Sequence, residues 1–450
     1  MSIQAQALGR RVESKVLWHI LPWTMLGMVI SYIDRMNISI AQLQMSRELG
    51  LSSAAYGLGA GLFFIGYFIF EIPSNMMMER VGARVWLARI MITWGIIGSL
   101  MCLARTEAVF YILRFLLGVA EAGFFPGLLL YVTNWTSEKN RAMSSGAFLA
   151  GGQIGMLIGY PISGLILDST HGALGLSGWQ WLFLLEGIPA FILGIVYLFV
   201  LRDRPSEAKW LDPDEKAWLQ QTIEQEREAK KQTKRQEKRG IAALGHPTLW
   251  FFALIYFLCM LASYGLGFWT PLAIESASHS SSAFVVGLLS MGAPIATILS
   301  MIFYSRHSDM TGERRWHLTF AALLGATGLA VLATAQGVPA TVVAIFVASL
   351  GIGGTTPIFW SHVNRWLSAS EAAVGLALVN SIGNLGGFAG PSLTGSVESA
   401  TGSFGPAMYV FAGGILLVAL LMQFSFSSVE KTLRTKAQVA AAEAGQEVPE

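Results

Sequence analysis

The sequence predicts an all-α polytopic membrane protein in which twelve transmembrane helices form two pseudo-symmetric six-helix bundles. Its 450 residues are 53% hydrophobic and 13% charged, whereas a soluble protein carries about 25% charged residues. Apolar runs recur along the chain, and one long polar stretch, residues 202–246, separates six of them from the other six. No run alternates polar and apolar residues like a transmembrane β-strand, so the pattern favours a helical bundle over a β-barrel.

Each apolar run has the length that a helix needs to cross the hydrocarbon core, about 20 residues. We number the runs spans 1 to 12 in chain order, and they occupy residues 16–38, 54–78, 84–104, 107–135, 141–167, 179–201, 247–274, 283–304, 317–336, 338–364, 371–397 and 406–427. The chain therefore divides into an N-terminal six-helix bundle (1–201), a cytoplasmic linker (202–246) and a C-terminal six-helix bundle with a short cytoplasmic tail (247–450). The linker is expected to be solvated, with some helix.

The distribution of lysine and arginine predicts that both termini are cytoplasmic. Of the 30 basic residues, Arg35 and Arg114 lie inside spans and away from the cytoplasmic ends of these spans, and Arg47 and Arg105 fall on the outer side. Subtracting these four leaves 26 on the side that carries the termini and the linker. Basic residues are enriched on the cytoplasmic side of membrane proteins, so the orientation is N-in and C-in. Because these residues follow the topology, they give no support to nucleic-acid binding.

The two halves resemble each other in sequence. Span 2 runs into S-N-M-M-M-E-R-V-G-A-R-V-W (74–86), and span 8 runs into S-R-H-S-D-M-T-G-E-R-R-W-H (305–317). In both segments an acid is followed three residues later by a glycine and then by basic residues. Parallel repeats of this kind place a substrate site at the interface of the halves, near the middle of the membrane.

Four ionisable residues lie deep inside apolar sequence in the first third of the chain. Asp34 and Arg35 end the apolar run of span 1, and Arg114 and Glu121 lie seven residues apart on one face of span 4. We find no other ionisable groups placed so deep. A charge near the bilayer centre costs about 2.5–3.5 kcal/mol on insertion scales, so such residues normally face a cavity and mark an ion or substrate pathway.

Several motifs carry a family resemblance that covers essentially the whole chain. The segment N-M-M-M-E-R-V-G-A-R (75–84) resembles the loop signature of the major facilitator superfamily, with Asn75 in place of the usual glycine and Glu79 in place of aspartate. Y-I-D-R-M-N-I (32–38) and R-F-L-L-G-V-A-E-A-G-F-F-P-G (114–127) resemble the anion:cation symporters within that superfamily. G-W-Q-W-L-F-L-L-E-G-I-P-A (178–190) is most similar to the branch of tartrate, phthalate and hydroxyphenylacetate permeases.

The resemblance implies a proton-coupled symporter that takes up a small organic carboxylate across a bacterial inner membrane by alternating access. It implies a monomer whose coupling ion is the proton, with no other cofactor. Arg35 would bind the substrate carboxylate, a task that suits the fixed charge and forked donors of a guanidinium. Asp34 would pair with Arg114, and both would take part in proton coupling together with Glu121. Glu121, with no basic neighbour closer in sequence than Arg114, would be the main group that gains and loses the proton.

Further candidates surround this group. By the same resemblance, Tyr67 on span 2 and Gln153 on span 5 occupy substrate-binding positions. In the second half, Gly354 stands where span 4 has Glu121, so uncharged groups are expected to hold the less charged or aromatic remainder of the substrate. The polar or amphipathic candidates on spans 10 and 11 are Trp360, Asn380 and Asn384.

The loops after spans 2 and 8 are predicted to control the conformational change. Their acids can form charge-assisted bonds to a neighbouring helix end and so stabilise the outward-open state. The residues concerned are Glu79, Arg80, Gly82 and Arg84 in the first half, and Asp309, Gly312 and Arg314 in the second.

Three other functions compete with symport. An anion exchanger or uniporter would keep Arg35 but would not need a protonatable Glu121. A membrane receptor would need a signalling domain, for which the predicted tails are too short. A membrane-embedded enzyme would need a nucleophile or a metal cluster, and neither a catalytic nor a metal-ligating arrangement is visible, since Cys102 and Cys259 stand alone inside apolar runs. The sequence leaves the identity of the anion open.

Overall fold

The computed structural model describes residues 3–234, 245–278, 282–367 and 372–443, and helices account for nearly all of them. In the first half, spans 1 to 6 are formed by the helices Ile3–Leu49, Ser53–Val81, Ala83–Leu100, Glu107–Glu121 with Phe124–Trp135, Glu138–Ser169 and Gly178–Val200. In the second half, spans 7 to 12 are formed by the helices Pro247–Ser278, Ala283–Ser290 with Gly292–Thr311, Arg315–Leu332, Gly337–Trp366, Ala372–Asn384 with Gly386–Thr401, and Gly405–Glu443.

Eleven of the twelve predicted spans are long and apolar enough to cross a membrane in the part of the chain that the structure describes. The remaining one, span 11, is interrupted at Leu385 and consists of two shorter helices. Spans 4 and 8 are interrupted in a similar way, at residues 122–123 and at Met291. In span 4 the break follows Glu121 directly, because Gly123 adopts a left-handed conformation (φ +85°) that favours glycine.

Glycine allows spans 2 and 4 to touch through their backbones. A Cβ atom on Gly118 would lie 2.0 Å from the Phe63 carbonyl oxygen, and one on Gly66 would lie 2.4 Å from the Phe115 carbonyl oxygen. Small residues permit this close approach in membrane bundles. As a result, the carbonyl groups of span 2 come within reach of side chains on span 4.

The first part of the linker packs against the N-terminal bundle. Within the predicted linker, Pro213–Lys234 is a helix, and Trp210 stacks on His19 with the ring centroids 4.2 Å apart. Lys15 Nζ lies 2.7 Å from both carboxylate oxygens of Glu215. Residues 235–244 lie outside the described part of the chain, so the division of the chain at 202–246 stays a prediction.

Glu215 is expected to make docking of the linker helix pH-dependent. Partial desolvation raises the pKa of the Glu215 carboxyl, but the hydrogen bonds from Lys15 and from the Asp212 amide together lower it by more. The net pKa is therefore below the usual value. A carboxyl with a lowered pKa in the docked state stabilises docking at neutral pH, and this contribution is lost as the pH falls through that pKa. Glu215→Gln should therefore accelerate hydrogen exchange in helix 213–234 at pH 7. The difference from wild type should vanish in acid, and the exposed neighbour Asp214→Asn serves as the control.

Candidate substrate and proton site

The centre of the site is an ion pair between spans 1 and 4. Arg35 Nη2 lies 2.5 Å from Glu121 Oε1, and the Ser31 hydroxyl donates to the same oxygen at 2.8 Å. The Glu121 side chain is 1% exposed and that of Arg35 is 11% exposed. Two of the four residues singled out by sequence are thus direct partners, although the expected role of Arg35 was to hold substrate.

Aromatic rings surround the Arg35 guanidinium. Its central carbon lies 5.4 Å from the ring centroid of Tyr32, 5.2 Å from that of Phe63 and 5.5 Å from that of Tyr67. Contacts of this kind stabilise a cation electrostatically without neutralising it. Arg35 Nε and Glu121 Oε2 are buried and make no hydrogen bond within the described residues. The pair is therefore incompletely satisfied, and Arg35 retains donor capacity for an additional acceptor.

The expected pair between Asp34 and Arg114 is wrong for this conformation. Arg114 is fully buried and donates to the backbone carbonyls of Gly59 (3.3 Å) and Ala60 (3.1 Å) on span 2. Because spans 2 and 4 approach closely, these carbonyls and not Asp34 are the hydrogen-bond partners of the guanidinium. Arg114 still acts on Asp34 electrostatically.

Asp34 instead accepts hydrogen bonds from neutral donors. Trp94 Nε1 lies 2.7 Å from Asp34 Oδ2, and Asn37 Nδ2 lies 3.3 Å from Asp34 Oδ1. Gly98 on span 3 leaves the room for this carboxylate, since a Cβ atom there would lie 3.2 Å from Oδ1. Asp34 and Arg35 thus serve separate networks, as the offset of about 100° between consecutive helical residues requires.

Two further carboxyls are buried inside the bundle, so the expectation that no other ionisable group lies so deep is wrong. Glu71 lies on span 2, one helical turn beyond Tyr67 and within electrostatic range of Arg35. Glu186 lies on span 6 and accepts a hydrogen bond from the Ser163 hydroxyl at 2.6 Å. Both glutamates stand inside apolar runs of the sequence, and this is the signal that would have identified them.

The remaining substrate-binding candidates lie on separate helices around the interface of the halves. Gln153 is half-buried on span 5, next to Gly152, which packs on the Tyr32 ring. On the opposite half, the Trp360 ring packs against Tyr256 with the centroids 4.9 Å apart. Asn380 and Asn384 are half-buried and flank Gly383, which also packs on Tyr256. No described hydrogen bond connects these candidates to Arg35, so their roles stay predictions.

The halves are joined at their predicted outer ends. Asp168, at the end of span 5, accepts hydrogen bonds from the Ser282 hydroxyl (2.9 Å) and from the amides of Ala283 (3.0 Å) and Phe284 (2.9 Å) at the start of span 8. Arg47 and Glu275 form an ion pair between spans 1 and 7. Every hydrogen bond and ion pair described between the halves lies in this outer part, which is the arrangement of an inward-facing carrier.

None of the described contacts of the predicted gating residues joins the two halves in this conformation. The Arg84 amide donates to Asp203 Oδ1 at 2.9 Å, and Arg314 Nη2 lies 3.5 Å from Asp309 Oδ1. The two motif glycines both adopt positive φ angles, +97° at Gly82 and +68° at Gly312, which explains glycine at these helix ends. Glu79 and Arg80 are exposed. Their proposed role in the outward-open state stays a prediction.

Asp168 is expected to stabilise the inward-facing state. Asp168→Ala removes three hydrogen bonds that form only when the outer end is closed. A loss of about 1–2 kcal/mol would shift the equilibrium between the inward-facing and outward-open states roughly 5- to 30-fold toward the outward-open state. We expect faster labelling of a cysteine at Ser392, between the halves, by an impermeant maleimide in a background without Cys102 and Cys259. Glu107→Gln, which removes an exposed carboxylate at the same membrane face, should leave the labelling rate unchanged. Equal rates in both variants would contradict this role.

Two helical bundles joined at one membrane face, with an ion pair buried inside the first of them, are the architecture of a membrane transporter. A sequence model of the Major Facilitator Superfamily matches residues 24–293 and 252–446. The chain belongs to this superfamily, and it is a multi-pass membrane transporter and not an enzyme. The predicted family and fold class are confirmed.

Relatives extend along nearly the whole chain. A putative tartrate transporter of Agrobacterium vitis is 44% identical over 429 residues, which cover 95% of this chain and 94% of that protein. The putative metabolite transport protein NicT of Pseudomonas putida is 40% identical over 414 residues, covering 92% and 94%. A bacterial homologue of the human lysosomal transporter Spinster, in an inward-facing and occupied conformation, superposes with a TM-score of 0.73 at 16% identity, over 91% of this chain and 96% of that one.

Proposed function

We propose that the protein is a proton-coupled symporter that takes up a small organic carboxylate across a bacterial inner membrane. The observation that carries this proposal is the ion pair between Arg35 and Glu121, the one carboxylate that the described structure places on Arg35. The relatives named as tartrate and metabolite transporters support a substrate of this class. The carrier is proposed to act as a monomer, with the proton as its coupling ion.

Coupling follows from competition for Arg35. While Glu121 is ionised it occupies the guanidinium, and the pair has no net charge. A proton on Glu121 removes its attraction for Arg35 and leaves a buried cation, which is unfavourable in a low-dielectric site. A substrate carboxylate then restores neutrality by taking the place of Glu121, and its planar oxygens suit the forked donors of arginine.

The same competition makes movement of the substrate depend on the proton, both when the loaded carrier reorients and when the empty carrier returns. For a substrate that carries one negative charge, the loaded carrier holds the cation of Arg35, the substrate anion and a neutral Glu121, so its net charge equals that of the empty carrier with the ion pair formed. Moving a site with unbalanced charge through the closed state would cost several kcal/mol. Substrate alone or proton alone therefore gives a carrier that reorients slowly, and the two move together.

The rest of the substrate is proposed to lie against the second half. Of the two cations that the described residues place in the site, Arg35 is the accessible one, because Arg114 is fully buried against backbone. From the second half, Tyr264 acts electrostatically on Arg35, and its ring packs on that of Phe64 with the centroids 4.6 Å apart. We therefore expect one carboxylate of the substrate at Arg35 and an uncharged, hydroxylated or aromatic remainder beside spans 7, 10 and 11.

Uptake by proteoliposomes tests the proposal. A thermal-shift screen against a panel of carboxylates selects the probe, beginning with tartrate and aromatic monocarboxylates. With that probe, an inward pH gradient should drive accumulation by wild type. Glu121→Gln should abolish gradient-driven accumulation while exchange of labelled for unlabelled probe continues, because glutamine cannot ionise to reclaim Arg35. Undiminished gradient-driven accumulation by Glu121→Gln would overturn the coupling role and would favour an exchanger.

A further inference from the structure

We propose that Ser31 is a positioning residue for proton coupling. Its hydroxyl holds Oε1 of Glu121, so that the coupling proton binds at Oε2, and it thereby sets the pH range in which the carrier accepts substrate. This inference rests on the proposed function, in which protonation of Glu121 frees Arg35. Ser31 lies one helical turn before Arg35, on the same face of span 1.

Both described donors to Glu121 meet at one carboxylate oxygen. The Ser31 hydroxyl donates to Oε1 at 2.8 Å, and Arg35 Nη2 lies 2.5 Å from the same atom. Glu121 Oε2 is buried and has no hydrogen bond among the described residues. Ser31 is 2% exposed and the Glu121 side chain is 1% exposed, so bulk water does not compete for Oε1. Because Oε1 already accepts from two donors, Oε2 is the oxygen that takes up a proton.

The bond from Ser31 is compatible with both protonation states of Glu121. An ionised carboxylate accepts at Oε1, and a carboxyl that is protonated at Oε2 still has an acceptor oxygen at Oε1. The contact with Arg35 is different, because it is an ion pair and protonation of Glu121 removes its charge attraction. When Arg35 turns to the substrate carboxylate, Ser31 is the partner among the described residues that still holds Glu121. The carboxyl therefore stays in position to reclaim Arg35 when the proton leaves.

The bond from Ser31 also changes the balance between the two protonation states. A hydrogen bond to a charged acceptor is roughly twice as strong as one between neutral groups, so Ser31 favours the ionised form of Glu121. Substrate binding needs the protonated form, because that form frees Arg35. Ser31 therefore promotes release of the proton, and with it release of the substrate, once the site opens to the cytoplasm.

Other groups act on Glu121 electrostatically, and removing Ser31 leaves all of them in place. They are Arg35, Asp34 and Tyr32 on span 1, Tyr67 on span 2 and Arg114 on span 4. Glu71 on span 2 and Tyr264 on span 7 act on Arg35. Within the described part of the chain, spans 3, 5 and 6 give Glu121 neither a hydrogen bond nor an ion pair. Replacing Ser31 thus removes one direct bond to Glu121 without changing any charge of the site.

The pH dependence of probe binding, measured by calorimetric titration, tests the inference. In wild type the affinity for the carboxylate probe should fall as the pH rises, because Glu121 ionises and reclaims Arg35. Ser31→Ala destabilises the ionised form more than the protonated form, so the pH of half-maximal binding should rise by about one unit. An unchanged pH of half-maximal binding in Ser31→Ala would overturn the inference.

Two control variants show whether the hydroxyl itself is responsible. Ser31→Thr keeps a hydroxyl and should keep the wild-type pH of half-maximal binding, so a shift equal to that of Ser31→Ala would overturn the inference. Ser290→Ala is the matched control and should also leave this pH unchanged. Ser290 is a fully buried serine of span 8 whose hydroxyl donates to the Val286 carbonyl of its own helix at 2.8 Å.

The Glu121→Gln background shows whether Ser31 acts through Glu121. Adding Ser31→Ala to Glu121→Gln should leave the remaining pH dependence unchanged, and a shift as large as in the wild-type background would overturn the inference. Probe binding by wild type that is independent of pH would overturn the proposed symport together with the inference. Binding that depends on pH through Glu121 but is unaffected by Ser31→Ala would overturn the inference alone and leave symport standing.

Discussion

Arg35→Gln is expected to abolish substrate binding and to destabilise the protein. Truncating one member of a buried charge pair costs about 2–5 kcal/mol, which corresponds to roughly 30- to 5,000-fold in Kd. Binding is lost because the guanidinium is the accessible cation of the site. Stability is lost for a different reason, since Glu121 is 1% exposed and would keep an uncompensated buried charge. Calorimetric titration with the carboxylate probe and thermal unfolding measure the two effects separately.

A double variant separates the two effects of removing Arg35. In Arg35→Gln/Glu121→Gln the buried acid no longer ionises, so the unfolding midpoint should recover toward the wild-type value while binding remains lost. Arg105→Gln, which removes an exposed arginine, should change neither quantity. Probe binding by the double variant with wild-type affinity would show that Arg35 is not the substrate ligand. An unfolding midpoint that stays low would show that Glu121 is not the group that Arg35 neutralises.

Arg35→Lys is a finer test of the same site. Lysine keeps the positive charge but loses the forked pair of donors and the planar surface that contacts Tyr32, Phe63 and Tyr67. Probe affinity should therefore fall, whereas the unfolding midpoint should stay nearer to wild type than in Arg35→Gln. Equal loss of both quantities in the two variants would mean that charge alone accounts for the effect of Arg35.

The spans and the residues of the central ion pair were predictable from sequence, because they depend on local patterns. A run of about 20 apolar residues predicts a transmembrane helix whichever other helices pack against it. A charge inside such a run is costly in any packing arrangement, so Arg35 and Glu121 stand out without a structure. The break in span 4 was not predicted, although Gly123 lies two residues after Glu121. A glycine in a membrane helix is more often a packing residue than a helix end.

The partners of the buried charges depend on helix packing, which the sequence does not show. Arg114 bonds to span 2 because Gly66 and Gly118 bring the two backbones together, and this choice cannot be read from the spacing of charges. The hydrogen bond from Ser163 to Glu186 likewise depends on spans 5 and 6 being neighbours. Glu186 was visible as an acid in an apolar run, but its burial against Ser163 could not be read from the sequence.

Gly57→Trp is expected to trap the carrier in an outward-open state and to reduce uptake at least about 100-fold. A Cβ atom on Gly57 of span 2 would lie 2.4 Å from the Pro391 carbonyl oxygen of span 11, and one on Gly395 would lie 2.1 Å from the Ser53 carbonyl oxygen. The outer ends of the two halves can therefore close only with glycine at these positions. A 100-fold shift requires about 2.8 kcal/mol, and forcing a bulky group into packed structure typically costs 1–3 kcal/mol or more.

Outward trapping differs from misfolding in what it preserves. The indole blocks contact between the halves and leaves packing within each half intact, so Gly57→Trp should still unfold cooperatively and bind the carboxylate probe. Spin labels at Leu174 and Gln336, exposed residues of the two halves near the predicted outer face, should move apart. Gly413→Trp is the matched control, because a Cβ atom on this exposed glycine of span 12 would meet nothing within 4 Å. Normal uptake by Gly57→Trp with an unchanged label distance would mean that span 2 and span 11 need not meet, and that closure of the outer end rests on the contacts of Asp168 and Arg47 instead.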